Sequence, residues 1–247
     1  MPAINLWSSP RNISTALMYA FAERPDTVVF DEPLYAHYLR HTQTLAQHPA
    51  REAILATMEN DGEKVVRELI LGPHNRPVAL FKQMTHHLIH LDLAFLGQTQ
   101  NVLLIRNPKA IIASYARVIP NPTIEDVGIR QQTELLQRLQ TLGTLHAVVD
   151  TEDLLKNPEG MLRALCDRLN IPFFPGMLHW PAGPRSEDGI WAPHWYEQVH
   201  KSTGFQPYRH RTYNLSPDLE HLAESCAPYY QQLYHHALRV ASPTTKD

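Results

Sequence analysis

The chain has 247 residues, of which 43% are hydrophobic and 19% are charged, and this balance favours one globular domain over residues 1–247. Its 22 Lys and Arg residues and 25 Asp and Glu residues give a net charge of −3, which argues against a nucleic-acid or anionic-membrane partner. The sequence has no signal segment at its start and no apolar run of the ~18 to 20 residues that span a membrane, so we expect a cytoplasmic protein.

The first predicted elements are a short strand, a polar loop and a helix. Ile4, Leu6 and Trp7 form a short buried strand before a turn-rich loop, and from Ile13 onward apolar residues recur at the helical spacing i, i+4, i+7 and i+8. The unpaired amides and positive dipole of this helix N-terminus attract a phosphate or sulfate, and Arg11, Ser14 and Thr15 add further donors. An ordinary Ser or Asn cap before a core helix is the alternative interpretation.

Four further apolar runs are predicted to form strands: residues 27–31, 77–84, 101–108 and 145–150. Helical patterns lie between them, with two or three helices in residues 35–71, one that Asn107 caps and Pro108 begins, and one over about 124–142. Because the strands are almost continuously apolar and alternate with helices, we predict a doubly wound α/β fold, in which helices cover both faces of a parallel sheet of about five strands.

A helix over residues 159–170 follows Asn157-Pro158, and Cys166 lies on its apolar side. The only other cysteine is Cys226. We therefore predict that Cys166 is a buried free thiol rather than half of a disulfide, which fits a reducing cytoplasm.

The late part of the chain differs in composition. Residues 172–207 are rich in Pro, Gly and aromatic residues, and so long an irregular segment within one domain is typical of a functional lid. A small aromatic satellite core around its Trp residues is the alternative. A last helix begins at Ser216-Pro217, Pro228 predicts a kink in it, and residues 241–247 are predicted to be a frayed tail.

Parallel sheets of this kind bind ligands in the crevice beyond the carboxyl ends of their strands. Four regions of the chain bring charged residues to that edge: Arg11, Glu32, Lys82 and Arg106. Pro33 favours extended geometry at Glu32, so Asp31 and Glu32 are expected to point to opposite faces of the sheet. Only one of the two carboxylates would then face the crevice.

The loop at residues 8–15 differs from the phosphate loop of proteins that bind ATP or GTP. It reads Ser-Ser-Pro-Arg-Asn-Ile-Ser-Thr and lacks the glycines and the lysine of Gly-x-x-x-x-Gly-Lys-Ser/Thr. Arg11 still supplies a cationic donor with a planar, bidentate fork. The residues therefore favour an anion site but argue against ATP.

Three stretches form an ordered set along the chain: the loop at 8–15, Leu-Ile-Arg-Asn-Pro-Lys-Ala-Ile-Ile-Ala-Ser at 104–114, and Thr-Glu-Asp-Leu-Leu-Lys-Asn-Pro at 151–158. Together they resemble the PAPS-dependent sulfotransferase family, and bacterial sulfotransferase-like proteins in particular, over most of the chain. The resemblance implies a P-loop NTPase-like fold. It also implies transfer of a sulfuryl group from PAPS (3′-phosphoadenosine 5′-phosphosulfate) to a hydroxyl or amine of a small-molecule acceptor, leaving PAP, with no metal.

The resemblance also implies which residues bind PAPS. The first loop corresponds to the family's 5′-phosphosulfate loop, with Arg11 where many members have lysine, and Arg106 and Ser114 match the residues that bind the 3′-phosphate. A surface salt bridge and a solvated helix serine are the alternatives for Arg106 and Ser114. The full implied set is Ser9, Arg11, Asn12, Ser14, Thr15, Arg106, Ser114, Arg185 and Lys201.

The implied catalytic residues are Glu32, Arg11 and Lys82. Glu32 resembles the Glu-Pro of some bacterial members and would be the base that takes the acceptor's proton, with Asp31 as the second candidate. Alternatively, Glu32 only neutralises Lys82 or Arg11. Lys82 would stabilise the bridging oxygen of the leaving nucleotide, or be a paired lysine at a strand end.

His86 and His90 sit at i, i+4 on a possible helix, but no acid or cysteine completes a metal site at the usual spacing, so we predict no metal. A phosphotransferase with an aberrant loop and a catalytically inactive nucleotide-binding module are the alternative functions. The sequence does not indicate the acceptor's identity or the oligomeric state.

Overall fold

The computed structural model describes residues 2–42, 48–117 and 121–240. Its centre is a five-stranded sheet of β1 (Ala3–Ser8), β2 (Thr27–Asp31), β3 (Val78–Met84), β4 (Gln100–Ile105) and β5 (Leu145–Asp150). All neighbouring strands are parallel in the order β2-β3-β1-β4-β5, which confirms the predicted sheet. Strands β2 and β3 lie on one side of β1, and β4 and β5 lie on the other. The direction of winding therefore reverses at β1, and a ligand crevice is expected at its carboxyl end.

The described residues form helices α1 (Ser14–Ala22), α2 (Tyr35–His41), α3 (Arg51–Thr57), α4 (Gly62–Lys64), α5 (Pro108–Tyr115), α6 (Ile124–Val127), α7 (Ile129–Leu142), α8 (Thr151–Lys156), α9 (Pro158–Arg168), α10 (Ala192–Trp195), α11 (Glu197–His200) and α12 (Pro217–His235). A π-helical stretch, Val65–Ile70, continues α4, and 3₁₀ turns cover Thr85–His87, Leu93–Gln98 and Pro175–Leu178. In the part of the chain that the structure describes, no helix has the length and apolar character needed to cross a membrane.

Helices cover both faces of the sheet, as predicted for a doubly wound fold. Leu6 of β1 shares one hydrophobic cluster with Leu17 of α1 and Leu162 of α9. Trp7, the next residue of β1, points to the other face and shares a second cluster with Leu136 of α7 and with residues of α5 and α12. Successive residues of the central strand are therefore buried on both faces of the sheet, and the polar Asn5 among them donates a hydrogen bond to Thr99 Oγ1.

The predicted helices between the strands are largely present. Residues 35–71 hold α2, α3 and α4 with its π-helical continuation, and α12 runs through Pro228 without a break. The prediction of one helix over 124–142 was wrong, because Gly128 takes a left-handed φ of +73° and separates α6 from α7. The predicted tail, residues 241–247, lies outside the described residues.

The late segment, residues 172–207, is packed against the rest of the chain. Trp180 is buried in the cluster that contains α1 and α9, and Trp191 is buried with Tyr35 and Tyr196 in a third, smaller cluster. This packing matches the alternative of an aromatic satellite core. The prediction for the thiol is confirmed as well, since both cysteines are free and buried.

Asp150 ends β5 and caps α8. Its Oδ1 accepts hydrogen bonds from the backbone N–H groups of Glu152 (2.8 Å) and Asp153 (3.2 Å), and its Oδ2 accepts one from the hydroxyl of Tyr230 (3.0 Å). Burial raises the pKa of Asp150 to about 6 even though these hydrogen bonds lower it. The ionised cap therefore costs folding free energy at neutral pH.

We expect this cost to disappear in Asp150→Asn, whose amide oxygen can still cap α8. Because the folded chain raises the pKa of the carboxyl above its ordinary value of 3.8, the stability that Asp150 contributes is full below that pH and is lost as the pH rises through about 6. From about pH 4 to pH 7.5, the variant's unfolding free energy in urea should gain about 2–3 kcal/mol relative to wild type. If the unfolding free energies of the variant and the wild type change in parallel with pH, the expected cost of the ionised cap is contradicted.

Candidate active site

Two arginines hold the loop between β1 and α1. Arg11 takes a left-handed backbone conformation (φ +58°), and its carbonyl oxygen accepts a hydrogen bond of 2.5 Å from Arg106 Nη1. The Arg11 guanidinium reaches α5, where its Nε donates to Ser114 Oγ at 3.0 Å. The structure thus joins Arg11, Arg106 and Ser114, three residues predicted for the site, in one hydrogen-bonded group.

Asn12 braces the same loop from the other side. Its Nδ2 donates to the carbonyl oxygen of Leu104 (3.0 Å), and its Oδ1 accepts from the backbone N–H of Ile13 (2.9 Å) and from Thr151 Oγ1. These bonds tie the loop to β4 and to the start of α8. Asn12 therefore shapes the loop, and its amide is already engaged on both sides.

The N-terminus of α1 has no side-chain cap, because the residue at the cap position is Ile13 and no side chain bonds to the first helical amides. The alternative of an ordinary Ser or Asn cap therefore does not apply. Ser14 and Thr15 are buried at this end of the helix, and Ser9 Oγ is buried with no hydrogen-bond partner among the described residues. Open amides beside an unpaired hydroxyl form an arrangement that suits an anion.

A groove of about 990 Å³ lies at the carboxyl end of β4. Its walls come from the starts of α5 and α8, from the end of α11 and from residues 206–213. Its Lys, Arg and Glu residues are Arg106, Lys109, Lys201, Arg209, Arg211 and Glu152. Because cationic side chains outnumber the single carboxylate, the groove also attracts anions.

Arg106 belongs both to the groove and to the loop. It lines the groove, and it donates to the carbonyl oxygen of Arg11. Burial lowers the pKa of its guanidinium, while Tyr213 nearby raises it. An arginine side chain stays charged at neutral pH despite such shifts, so Arg106 places a positive charge between the two regions.

The two residues predicted from the late segment lie in different places. Lys201 lines the groove. Arg185 pairs instead with Glu23, at 2.6 Å between Nη1 and Oε1, and its guanidinium stacks over the ring of Tyr19. Glu23 follows the carboxyl end of α1, so the structure brings Arg185 to the end of that helix opposite the loop.

The prediction from sequence missed Arg209 and Arg211 of the groove wall. Both lie in the stretch Tyr-Arg-His-Arg-Thr-Tyr at residues 208–213, which has no regular secondary structure. A signal was present, because basic and aromatic residues alternate there without helical periodicity. In a chain of negative net charge, such a local cluster of basic residues marks an anion site.

A buried charge cluster, consisting of Asp31, Glu32 and Lys82, lies where β2 and β3 end. Lys82 Nζ is 2.8 Å from Asp31 Oδ1 and 2.5 Å from Glu32 Oε1. The expectation that Asp31 and Glu32 point to opposite faces was wrong. Glu32 has a φ of +48° rather than extended geometry, and its N–H donates to the Lys82 carbonyl oxygen at 2.8 Å. This bond and the ion pair hold the turn against the preference that Pro33 imposes.

The Lys82 ammonium uses all three of its protons within the protein. Besides the two carboxylates, it donates to the hydroxyl of Tyr196 at 2.8 Å. Burial alone would lower the pKa of Lys82, but the charges of Asp31 and Glu32 raise it well above its ordinary value of 10.5. In this arrangement Lys82 has no proton left for a ligand, as expected for a paired lysine at a strand end.

The two carboxylates differ in what their oxygens contact. Both oxygens of Asp31 are engaged, by Lys82, by the hydroxyl of Tyr196 and by the backbone N–H of Gly189. Glu32 Oε2 accepts no hydrogen bond from the described residues and lies 3.9 Å from His87 Nε2. Burial raises the pKa of Glu32 and Asp31 adds to the rise, although Lys82 opposes it. Glu32 is therefore the better placed of the two to accept a proton.

Aromatic and imidazole rings flank this cluster. The ring of His87 stacks between Tyr35 and Tyr38, with centroid distances of 5.0 and 4.9 Å. Burial lowers the pKa of His86 to about 4 and that of His87 well below 6.5, so both are neutral at pH 7. His90 lies beyond their 3₁₀ turn, not on a shared helix. Within the described residues, no group of three or more His, Cys, Asp or Glu could hold a metal ion.

Comparison with known proteins gives matches over nearly the whole chain. A family model described as "Sulfotransferase domain" matches residues 2–237. The "Branched-chain-amino-acid aminotransferase-like protein 2" of Arabidopsis thaliana is 41% identical over 239 residues, which are 96% of this chain and 42% of that protein. The "Branched-chain-amino-acid aminotransferase-like protein 1" of the same plant is 41% identical over 242 residues, which are 97% of this chain and 43% of that protein. The chain thus spans less than half of these relatives.

Solved structures share the fold. The "Sulfotransferase Domain from the Curacin Biosynthetic Pathway" superposes with a TM-score of 0.56 at 18% identity, over 92% of this chain and 98% of that one. The "Sulfotransferase Domain from the Synechococcus PCC 7002 Olefin Synthase" gives 0.57 at 22% identity, over 92% and 94%. At these identities the likeness extends to the fold, which is P-loop NTPase-like.

Proposed function

The chain belongs to the sulfotransferase-domain family, and on that premise we propose that it transfers a sulfuryl group from PAPS to a hydroxyl or amine of a small-molecule acceptor. The observation that carries the proposal is the position of Arg106, which lines the basic groove and bonds to the loop before α1. Two anion-attracting regions joined by one arginine suit a ligand with anionic groups at both ends. PAPS has a phosphosulfate at its 5′ end and a phosphate at its 3′ end, whereas ATP has phosphates at one end only.

We assign the 5′ phosphosulfate to the loop. Its ligands are the open amides and the hydroxyls of Ser14 and Thr15 at the start of α1, the unpaired hydroxyl of Ser9, and the guanidinium of Arg11. The bond from Arg11 Nε to Ser114 Oγ orients that guanidinium. Ser114 therefore acts through Arg11 in this assignment.

We assign the 3′ phosphate to the groove. Arg106, Lys201, Arg209 and Arg211 line it and supply the positive charge. The aromatic rings of Tyr208 and Tyr213, which line the same groove, offer apolar faces for the adenine. This assignment accounts for the combination of basic and aromatic side chains in the groove.

In the proposed reaction, the acceptor's oxygen or nitrogen forms a bond to sulfur while the bond from sulfur to the 5′-phosphate oxygen breaks, and PAP leaves. Glu32 takes the acceptor's proton on Oε2, the oxygen without a hydrogen bond from the described residues. Arg11 balances the charge on the transferring group. Lys82 holds Glu32 through Oε1, so it acts by positioning the base.

A thermal-shift comparison of PAP, PAPS, ATP and ADP tests the donor. At about 100 times its dissociation constant, PAP should add about 2.7 kcal/mol to the unfolding free energy. In Arg106→Ala the affinity for PAP should fall by about 10- to 100-fold, because a charged hydrogen-bond donor is lost. Arg163→Ala is the matched control, since Arg163 is exposed on α9, where it pairs with Glu159 and lies over the ring of Phe173.

Two results would contradict the assignment. The first is the absence of any PAP-induced stabilisation in the wild-type protein. The second is greater stabilisation by ATP with magnesium than by PAP, which would favour a phosphotransferase instead.

A further inference from the structure

Residues 179–204 form a loop that is closed at its neck. His179 and Gly204 make an antiparallel bridge, and the N–H of Trp180 donates to the carbonyl oxygen of Thr203 at 3.2 Å. Just inside the neck, the N–H of Gly183 donates to the carbonyl oxygen of His200 at 2.8 Å. Loops with adjacent ends that pack on their own side chains are commonly functional. The 179–204 loop is therefore a unit that docks as a whole.

The far part of the 179–204 loop docks onto the buried charge cluster. The N–H of Gly189 donates to Asp31 Oδ2 at 3.0 Å, and the hydroxyl of Tyr196 lies 2.8 Å from both Asp31 Oδ2 and Lys82 Nζ. Trp191 Nε1 donates to the same hydroxyl at 3.1 Å. The loop thus supplies two donors to a carboxylate that sits beside Glu32.

The geometry fixes the direction of each bond at the Tyr196 hydroxyl. Lys82 and Trp191 can only donate, so the hydroxyl accepts from both, and its single proton goes to Asp31. Phenylalanine would leave an ammonium proton and an indole N–H without an acceptor, and it would remove one of the donors to Asp31. Tyr196 is 6% exposed, so water does not readily replace the hydroxyl.

We propose that Tyr196 is a positioning residue for Glu32: by completing the buried charge cluster, it couples docking of the 179–204 loop to the ability of Glu32 to accept a proton. The role of Glu32 as base rests on the proposed function. The same loop carries Lys201 to the groove, so one element contacts both the donor side and the acceptor side of the site. Asp31, in this view, anchors the loop and takes no part in proton transfer.

The charged and titratable groups that surround Glu32 come from five parts of the chain. They are Asp31 of β2, Lys82 of β3, Tyr35 of α2, His87 of the 3₁₀ turn after β3, and Tyr196 between α10 and α11. His87 is neutral at pH 7, so the cluster formally carries two carboxylates and one ammonium. The hydrogen bond that the Tyr196 hydroxyl donates to Asp31 stabilises this net negative charge.

Tyr196→Phe removes that stabilisation and should shift the titration of Glu32 to higher pH. The measurement is an infrared titration of the carbonyl stretch of protonated carboxyl groups in the protein without ligand. The band that disappears in Glu32→Gln reports on Glu32. We expect its midpoint to rise by about half to one pH unit in Tyr196→Phe and to stay unchanged in Tyr229→Phe, the control. Tyr229 has its ring against Arg130, away from the cluster.

A loop that is only structural would lower the melting temperature of Tyr196→Phe without moving the midpoint, and that result would overturn the proposal. Trp191→Phe is the second variant. It removes the hydrogen bond that the indole donates to the Tyr196 hydroxyl but keeps the hydroxyl itself, so the midpoint should shift less in the same direction. If Tyr196→Phe does not fold, an unchanged midpoint in Trp191→Phe would also overturn the proposal. PAP-induced stabilisation of the wild-type protein tests the proposed function separately, since the titration requires no ligand.

Discussion

Glu32→Gln should lower the turnover of PAPS by about 10²- to 10⁴-fold while PAP stabilises the variant as strongly as the wild type. The amide is isosteric but cannot take the acceptor's proton, so the chemical step is impaired while the residues assigned to PAPS are unchanged. Turnover is measured as PAP released from PAPS with water and with a panel of small alcohols, phenols and amines. A parallel loss of PAP binding would show that Glu32 belongs to the donor site instead.

Glu59→Gln is the matched control for this substitution. Glu59 is exposed and pairs with Lys64, so the same chemical change there should alter neither turnover nor PAP binding. Full turnover in Glu32→Gln would remove Glu32 from the role of base. The substitution also separates the two carboxylates, because Asp31 keeps all its contacts except for the altered charge beside it.

Lys82→Met should lower the unfolding free energy by about 3–5 kcal/mol, because it leaves two buried carboxylates without the cation that both contact. Lys82 is 1% exposed, so solvent does not substitute for the ammonium. The cost should be smaller near pH 5 than near pH 8, since protonation of Glu32 relieves the repulsion. Urea unfolding at both pH values measures it.

A second substitution shows whether charge is the cause. Asp31→Asn in the Lys82→Met background should recover part of the lost stability, because one buried charge is removed along with its repulsion of Glu32. Lys64→Met, which changes an exposed lysine in the pair with Glu59, should leave stability nearly unchanged. Equal losses in Lys82→Met and Lys64→Met would contradict this account.

The sheet could be predicted from the sequence because each strand is rich in apolar residues; β2 and β5 also end at an Asp, and Asn107-Pro108 follows β4. Asn107 caps α5 and Asn157 caps α9, as their Asn-Pro sequences predict. Helix α7 was misjudged at its start because the apolar periodicity continues across Gly128, while the left-handed conformation there breaks the hydrogen-bond ladder. Periodicity thus identifies an element more reliably than its ends.

Arg11 and Arg106 follow the carboxyl ends of β1 and β4, and their contact could be predicted because parallel strands bring these ends to one edge. Ser114 lies further along, in α5, and only the resemblance placed it with them. The turn at Glu32 could not be predicted from the sequence. The preference for extended geometry before a proline is overridden there by a contact with Lys82, 50 residues away. Contacts made by irregular segments, such as that of Tyr196 with Asp31, leave no periodic trace in the sequence.

Arg11 and Glu32 both occupy the left-handed region of backbone space, with φ of +58° and +48°. Each such conformation costs of order 1–3 kcal/mol for a residue with a Cβ atom, and glycine or asparagine would relieve much of it. Neither replacement would carry a guanidinium or a carboxylate. Under the proposed function, the chain trades folding stability for activity at these two positions, and selection for heat resistance alone would favour glycine there.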